Sequence, residues 1–269
     1  MKKFISKKGM VLAVLSLALI AAIAIGGSLA YFSDSDEVTN TFTMGKVTID
    51  LDEPNWEEDS GLELAPGNVR VKDPTVTATQ GQSYMRVRME IVDGEGNYIT
   101  DDAQLALILE TLYYDTTYDA SALTQNLAPD AKYSVAELNA LCAQNKIHKE
   151  YNKSKFIFAG IETGNKAVRY YNYIANDGIF DADKTPADSA VLFSNVVIPS
   201  NWHNEEIFIL NGDEYETTEN GGIEVTIRGS GYKLRIEAQA IQSAEMASAA
   251  EAFAALNAAT EVTIDASGI

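Results

Sequence analysis

The alternation of apolar and mostly polar residues that decides the fold is clearest in residues 84–91, Tyr84-Met85-Arg86-Val87-Arg88-Met89-Glu90-Ile91. Every odd-numbered residue of this stretch is apolar, which is the two-residue period of a β-strand with one face in a core. The same period recurs in residues 233–240, where Leu234 and Ile236 are expected to face inward. The sequence therefore predicts at least two long, half-buried strands.

Six further segments favour strands, and clusters of glycine, proline and asparagine separate many of them. These candidate strands are residues 41–51, 69–79, 155–159, 167–174, 191–198 and 223–228. Turns are expected at residues 65–68, 93–97, 220–222 and 229–231. Many short strands bounded by turns predict a mainly β fold, an antiparallel jelly-roll-like β-sandwich.

Three segments with helical spacing interrupt the strands, namely residues 101–114, 134–147 and 244–258. The second opens with Ser134 and Glu137 in the arrangement of a capping box. The first two are interpreted as a helical insertion at about residues 101–150. The mature chain then has an N-terminal strand segment at residues 31–51 and one sandwich domain at residues 52–269.

The first thirty residues have the features of a secretory signal peptide. An apolar run from residue 11 to residue 25 follows the basic residues Lys2, Lys3, Lys7 and Lys8. The run is shorter than the roughly 20 residues that span a bilayer, so cleavage is expected between Ala30 and Tyr31. Retention as an uncleaved anchor is the alternative. Since no sortase motif or second apolar stretch follows, we expect a secreted protein without a stable membrane span after cleavage.

Charge limits the choice of partner. Cleavage at Ala30 would leave 16 basic and 39 acidic residues, and hence a net charge of −23. A field of that sign repels nucleic acids and anionic lipids. The thirteen tyrosines and the 46% hydrophobic content indicate a packed domain and argue against disorder.

No catalytic motif is present in the sequence. The two histidines, His148 and His203, are not part of an HExxH motif, and no GxSxG elbow or phosphate-binding loop occurs. The single cysteine, Cys142, excludes an intrachain disulfide, and it is interpreted as a small buried residue or as an intermolecular bridge. We expect no enzyme, no cofactor and no catalytic residue.

Two acidic clusters are candidate calcium-binding sites. Asp181, Asp183 and Asp188 lie in one short segment, and a second group surrounds Asp34 and Asp36. Neither has the glycine and terminal glutamate of an EF-hand loop. A solvated acidic surface is one interpretation, and a weak calcium site at Asp181–Asp188 is the other.

The mature N-terminus is aromatic and β-prone, and no hairpin partner follows it closely. An exposed segment of this kind is an aggregation hazard unless a sheet accepts it. It either joins its own sheet or adds as a strand to another subunit, in a head-to-tail contact that grows into a fibre. The residues expected to make this contact are Tyr31, Phe32, Val38, Phe42, Met44, Val47 and Ile49.

Four motifs stand out in the N-terminal part: residues 29–42, Leu-Ala-Tyr-Phe-Ser-Asp-Ser-Asp-Glu-Val-Thr-Asn-Thr-Phe; residues 45–51, Gly-Lys-Val-Thr-Ile-Asp-Leu; residues 64–67, Leu-Ala-Pro-Gly; and residues 72–76, Lys-Asp-Pro-Thr-Val. Together these motifs resemble the TasA and camelysin family of secreted biofilm-matrix fibre proteins. Residues 84–88, 170–173, 191–199 and 236–242 agree as well, whereas residues 101–155 match no motif of the family.

The resemblance implies export through a SipW-type signal peptidase and assembly by donor-strand exchange, in which the N-terminal segment completes the sheet of a neighbour. It also implies a jelly-roll-like fold and leaves room for an accessory anchoring protein. Camelysin-like members are described as metalloproteases, but this sequence offers no metal-ligand set to support that activity. A role of the Pro-Gly and Lys-Asp-Pro motifs in the scaffold is preferred to a binding role.

These observations lead to one functional hypothesis and one alternative. The chain is expected to be a secreted subunit of extracellular fibres, with itself as the main partner. The alternative is a monomeric secreted or surface binding module for protein or polysaccharide.

Overall fold

A computed structural model of the chain describes residues 43–44, 47–55, 65–121, 125–217, 223–226, 231–244 and 246–267. Sixteen strands lie in these ranges: β1 Thr43–Met44, β2 Thr48–Asp52, β3 Val69–Val71, β4 Thr75–Gln80, β5 Gln82–Asp93, β6 Leu112–Asp115, β7 Ile147–Lys149, β8 Phe156–Glu162, β9 Asn165–Tyr173, β10 Ile179–Asp181, β11 Ser189–Val191, β12 Asn195–Val197, β13 Glu214–Thr217, β14 Ile223–Thr226, β15 Tyr232–Gln242 and β16 Ile264–Asp265. The same ranges contain four α-helices: α1 Asp102–Thr111, α2 Val135–Ala143, α3 Asn204–Asn211 and α4 Ala249–Ala259.

The largest sheet is built around β5 and β15. Its strand order is β1-β15-β5-β9-β8-β16, and β10 also pairs with β5. All its pairings are antiparallel except β1 with β15, which is parallel. The predicted alternation is confirmed here, because the side chains of Met85, Val87, Met89 and Ile91 are all buried in the core.

Two smaller sheets close the core on the other side. One has the order β11-β4-β2 and the other β3-β12-β6-β7. The same hydrophobic cluster includes Met85 and Val87 from the large sheet together with Ile49, Val76 and Val196 from the small ones. The predicted fold class is therefore confirmed: the molecule is mainly β, with antiparallel sheets in a sandwich-like arrangement.

The outer face of the large sheet is more buried than the pattern of a half-buried strand predicts. Helix α4 covers part of this face, where Ala252 and Leu256 pack in one cluster with Tyr84 and Ile241. Arg86 beneath it has no exposed surface. The polar side of β5 is therefore buried in part as well, because α4 adds a further layer over it.

Element boundaries differ where the local pattern was ambiguous. The segment 69–79 is two strands, because Lys72-Asp73-Pro74 interrupts the ladder and proline lacks an N–H donor. Helices α1 and α2 are shorter than predicted, and the strands β6 and β7 follow them. Helix α3 and strands β6, β7, β10, β13 and β16 were not predicted, and β11 meets the predicted segment 191–198 only at Val191. By contrast, the turn at residues 65–68 is confirmed, since Asn68 N–H donates to the Ala65 carbonyl and Gly67 has φ of 90°.

Candidate functional site

The short strand β1 belongs to the segment that was expected to mediate assembly. Met44 pairs with Ile241 of the same chain, and Val47 and Ile49 are 1% and 7% exposed. Ile49 packs in the chain's own main core. The cleavage residues Ala30 and Tyr31, and the segment residues Phe32, Val38 and Phe42, lie outside the described residues.

Strand β15 is paired unequally on its two sides. On one side all eleven residues pair with β5, from Tyr232 opposite Asp93 to Gln242 opposite Ser83. On the other side, β1 covers only Ala240 and Ile241. No other described strand pairs with residues 232–239 on that side. Within the described part of the chain, this length of β15 is therefore an open sheet edge.

The opposite edge of the large sheet is occupied. The β16 residues Ile264 and Asp265 pair with Glu162 and Ile161 at one end of β8. At the other end, the backbone N–H of Phe156 donates to the Asn152 carbonyl at 2.9 Å, and that of Phe158 donates to the Tyr151 hydroxyl at 3.3 Å. Since these contacts use edge donors of β8, β15 is the better acceptor for an added strand.

Arg88 is the centre of a charged network on the outer face. Its guanidinium pairs with Glu90, lies 3.7 Å from Glu162 and 3.5 Å from Glu237, and donates from Nε to the Tyr170 hydroxyl at 3.2 Å. Although burial opposes the charge, Glu90 and Tyr170 raise the pKa of Arg88 above its ordinary value. The guanidinium therefore stays charged, and it ties β5, β9, β8 and β15 together.

Two open clefts lie next to this network. The smaller, of about 300 Å³, is lined by residues of the turn after β5, the start of α1 and the end of α3, including Asp93, Tyr98, Asp101 and Asn211. The larger, of about 690 Å³, is lined by Arg88, Glu162, Thr163 and residues 260–263. The row Tyr98–Glu90–Arg88–Glu162 connects the two clefts through direct contacts.

The acidic loop considered for calcium is held by its own hydrogen bonds. Asp188 Oδ2 accepts from the Asp181 backbone N–H at 3.0 Å and from Lys184 Nζ at 2.8 Å. Asp181 accepts from the Asp183 N–H at 2.8 Å and from Gln82 Nε2 at 2.8 Å. These carboxylates therefore have a structural role in the loop, whether or not they also bind a cation.

The Lys-Asp-Pro motif joins distant parts of the chain. Asp73 is fully buried and accepts from Asn55 Nδ2 at 2.8 Å and from the Tyr118 hydroxyl at 2.6 Å. Lys72 pairs with Glu53 at 2.8 Å. The motif thus connects the segment after β2 with the loop that follows β6, which supports the preference for a scaffold role.

His148, His203 and Cys142, the residues considered for catalysis in the sequence, each have a local structural setting. His148 Nδ1 accepts from the Lys153 backbone N–H at 3.1 Å, and burial followed by the Lys153 charge lowers the pKa of His148. His203 precedes α3, where its backbone N–H donates to Glu206 at 2.8 Å. Burial raises the pKa of the Cys142 thiol. In the ranges that the structure describes, no group of three or more His, Cys, Asp and Glu side chains could hold a metal ion.

The charged network and the clefts were not predicted from the sequence. In the sequence, the only sign of the charged network was that Arg86, Arg88 and Glu90 occupy the polar positions of a strongly apolar strand. Their partners come from residues 98, 162, 170 and 237, and no local pattern links such distant positions.

Residues 3–101 match the family model described as Camelysin metallo-endopeptidase. The predicted resemblance to the TasA and camelysin family is therefore confirmed over this stretch. It includes residues 31–42, which we call the head, and the strands up to β5. No curated protein matches the chain. The described residues do not supply the ligand set that a metallopeptidase requires.

None of the described helices has both the length and the apolar character required to cross a membrane.

Proposed function

From the camelysin match over residues 3–101, we propose that this chain is a secreted structural subunit of extracellular matrix fibres. In the proposed contact, the N-terminal segment of one copy adds as a strand to the sheet of the next copy. The observation that carries the proposal is the edge of β15 directly beyond β1, which no other described strand covers.

The register of β1 within its own chain gives the alignment that an added strand would take along β15. Thr43 and Met44 run parallel to Ala240 and Ile241. Continued toward the N-terminus without a bulge, this register would set residues 35–42 beside residues 232–239, the whole open length of the edge. It would also set Asp36 beside Lys233, a pair of opposite charges that favours neighbouring strands. The segment therefore has the right length and direction to complete the sheet.

The same edge has two possible occupants. If a head pairs with its own β15, the edge is closed and the protein remains a monomer. If the head pairs with the β15 of a neighbour, each subunit offers one head and one edge, and the head-to-tail contact grows into a filament. Each added strand would bring main-chain hydrogen bonds along about eight residues.

Export would control when the head becomes available. Cleavage between Ala30 and Tyr31 by a SipW-type signal peptidase would release the subunit and create the free N-terminus outside the cell. An accessory protein could then anchor the first subunit. Because the described residues do not fit a metal site, we do not propose peptidase activity.

Electron microscopy of the mature chain starting at Tyr31 tests the assembly. We expect regular filaments, and we expect a chain that lacks residues 31–42 to remain a folded monomer, since it keeps β1 and the whole described core. Full polymerisation by the shortened chain would refute the proposal.

Cysteine cross-linking separates exchange between copies from pairing within one copy. In a Cys142→Ser background, one chain carries Asp36→Cys and a second carries Lys233→Cys. Neighbouring parallel strands bring such residues within disulfide range, so we expect mixed filaments to form the intermolecular disulfide. Lys166→Cys is the matched control, because Lys166 lies on β9, away from this edge. The proposal fails if the disulfide forms only when both cysteines are on the same chain.

A further inference from the structure

The smaller cleft displays an aromatic ring. Tyr98 is 42% exposed, and it lines the 300 Å³ cleft together with residues 93, 95, 99–101, 104, 211–212 and 231. We call this feature the Tyr98 cleft. An exposed tyrosine alone is ordinary, but this one lies over a polar concavity.

The Tyr98 ring is held in place before any ligand arrives. Its hydroxyl donates to Glu90 Oε1 at 2.8 Å, and its backbone pairs with Val92. Glu90 is held in turn by Arg88, with Arg235 at 3.8 Å. A ring fixed at its hydroxyl and its backbone loses little conformational entropy when a ligand stacks on it.

Two acids of the cleft keep their negative charge but are held by local hydrogen-bond donors. Asp93 Oδ1 accepts from the backbone N–H groups of Glu95 and Asn97, each at 2.9 Å, and these bonds help to keep its pKa below the ordinary value although burial opposes them. Asp101 Oδ1 accepts from the Gln104 N–H at 2.7 Å at the start of α1. These carboxylates are engaged in turn and cap hydrogen bonds, so a bare cation would gain little from them.

Other groups of the cleft are free to bind. Among the described residues, the Thr100 hydroxyl and the Asn211 side-chain amide have no hydrogen-bond partner, and both line the cleft. An aromatic face combined with hydroxyl, amide and carboxylate groups suits a ligand with alternating C–H faces and hydroxyl groups. The surrounding acids disfavour an anionic ligand.

We propose that the Tyr98 cleft binds a neutral oligosaccharide segment, with one sugar ring stacked on Tyr98 and its hydroxyl groups bonded to Thr100 and Asn211. The cleft is open to solvent, so a polymer can pass across it. The cleft adjoins the β15 edge at Gly231, the residue before that strand.

Isothermal titration of the mature chain with four neutral hexasaccharides tests the proposal. The probes are the hexamers of cellulose, amylose, mannan and chitin. We expect saturable binding of at least one probe with a dissociation constant in the range of about 0.1–1 mM. Tyr98→Ala should weaken it by about tenfold or more, because the stacking face is lost. Tyr98→Phe keeps the ring and should weaken it by only about two- to threefold.

One control variant and one second variant of the cleft accompany this test. Ile174→Ala removes an exposed apolar side chain elsewhere and should leave binding unchanged. Asn211→Asp changes the cleft without touching the Tyr98 ring and should weaken binding, which keeps the test valid if Tyr98→Ala does not fold. Absence of saturable binding for all four probes up to about 10 mM would overturn the proposal. So would binding that Tyr98→Ala and Asn211→Asp leave unchanged.

Discussion

One buried arginine holds the C-terminal helix on the large sheet. Arg86 Nε donates to Gln239 Oε1 at 2.6 Å, and its other nitrogens reach Asn257 and Thr260. Its guanidinium lies 4.9 Å from the centre of the Tyr170 ring. Burial lowers the pKa of Arg86 to about 10. Even so, the group is charged at neutral pH, and its hydrogen bonds offset part of the cost of burial.

At the residue scale, the ionisation of Tyr232 is expected to lower the stability of the fold in alkali. Burial raises the pKa of Tyr232 to about 12, although a hydrogen bond with Thr111 acts against it. Because this pKa is raised, the contribution of Tyr232 is fully present below about pH 10 and is lost as the pH rises toward 12. We expect the unfolding free energy to fall by about 2 kcal/mol from this group between pH 9.5 and pH 11.5.

Urea unfolding at the two pH values measures this effect. Tyr232→Phe has no titrating hydroxyl, so it should lose less stability than the parent chain over the same interval. Equal losses in both chains would show that Tyr232 does not contribute.

At the element scale, the C-terminal strand depends on one glycine. Gly160 in β8 has φ of 135°, and a Cβ built there would lie 2.5 Å from the Asp265 carbonyl oxygen of β16. Only a residue without a side chain permits this close approach. We therefore expect Gly160→Ala to lower the unfolding free energy by about 2–3 kcal/mol and to release β16.

Gly164→Ala is the matched control for this prediction. Gly164 also has a positive φ, of 83°, but a Cβ there meets nothing within 4 Å. Gly164→Ala should therefore lower the unfolding free energy only by the cost of backbone strain, about 1 kcal/mol. Amide exchange should become faster at residues 263–265 in Gly160→Ala alone, and similar behaviour of the two variants would contradict the steric argument.

At the scale of the whole molecule, charge opposes assembly. Subunits that begin at Tyr31 each have a net charge of −23 and repel one another. The screening length falls from about 30 Å at 0.01 M salt to about 8 Å at 0.15 M. We therefore expect filaments to form faster at the higher salt concentration and on mild acidification, which neutralises carboxylates.

Light scattering during assembly, with electron microscopy of the products, measures this dependence. Sucrose at matched osmolarity is the control, because it does not screen charge. Slower assembly at higher salt would mean that attraction between complementary charges dominates the contact, contrary to the prediction.

The sequence alone determined the elements whose cause is local. Alternating side chains define β5 and β15, Ser134 and Glu137 form the predicted capping box of α2, and Pro66-Gly67 makes its turn. The charge, the mainly β class and the resemblance over the N-terminal part also follow from residue type and order. The strands, the capping box and the turn each depend on residues only a few positions apart. The order of residues in the sequence is therefore enough to predict them.

Only the tertiary structure decided which strands pair with one another and which polar residues are buried. The parallel pairing of β1 with β15 joins residues almost 200 positions apart. The Tyr98 cleft gathers residues from the turn after β5, from α1 and α3, and Gly231 just before β15. The burial of Arg86 likewise depends on α4, at the far end of the chain. Such contacts form when the whole core closes and its burial offsets the entropy of long loops, so no local sequence pattern specifies them.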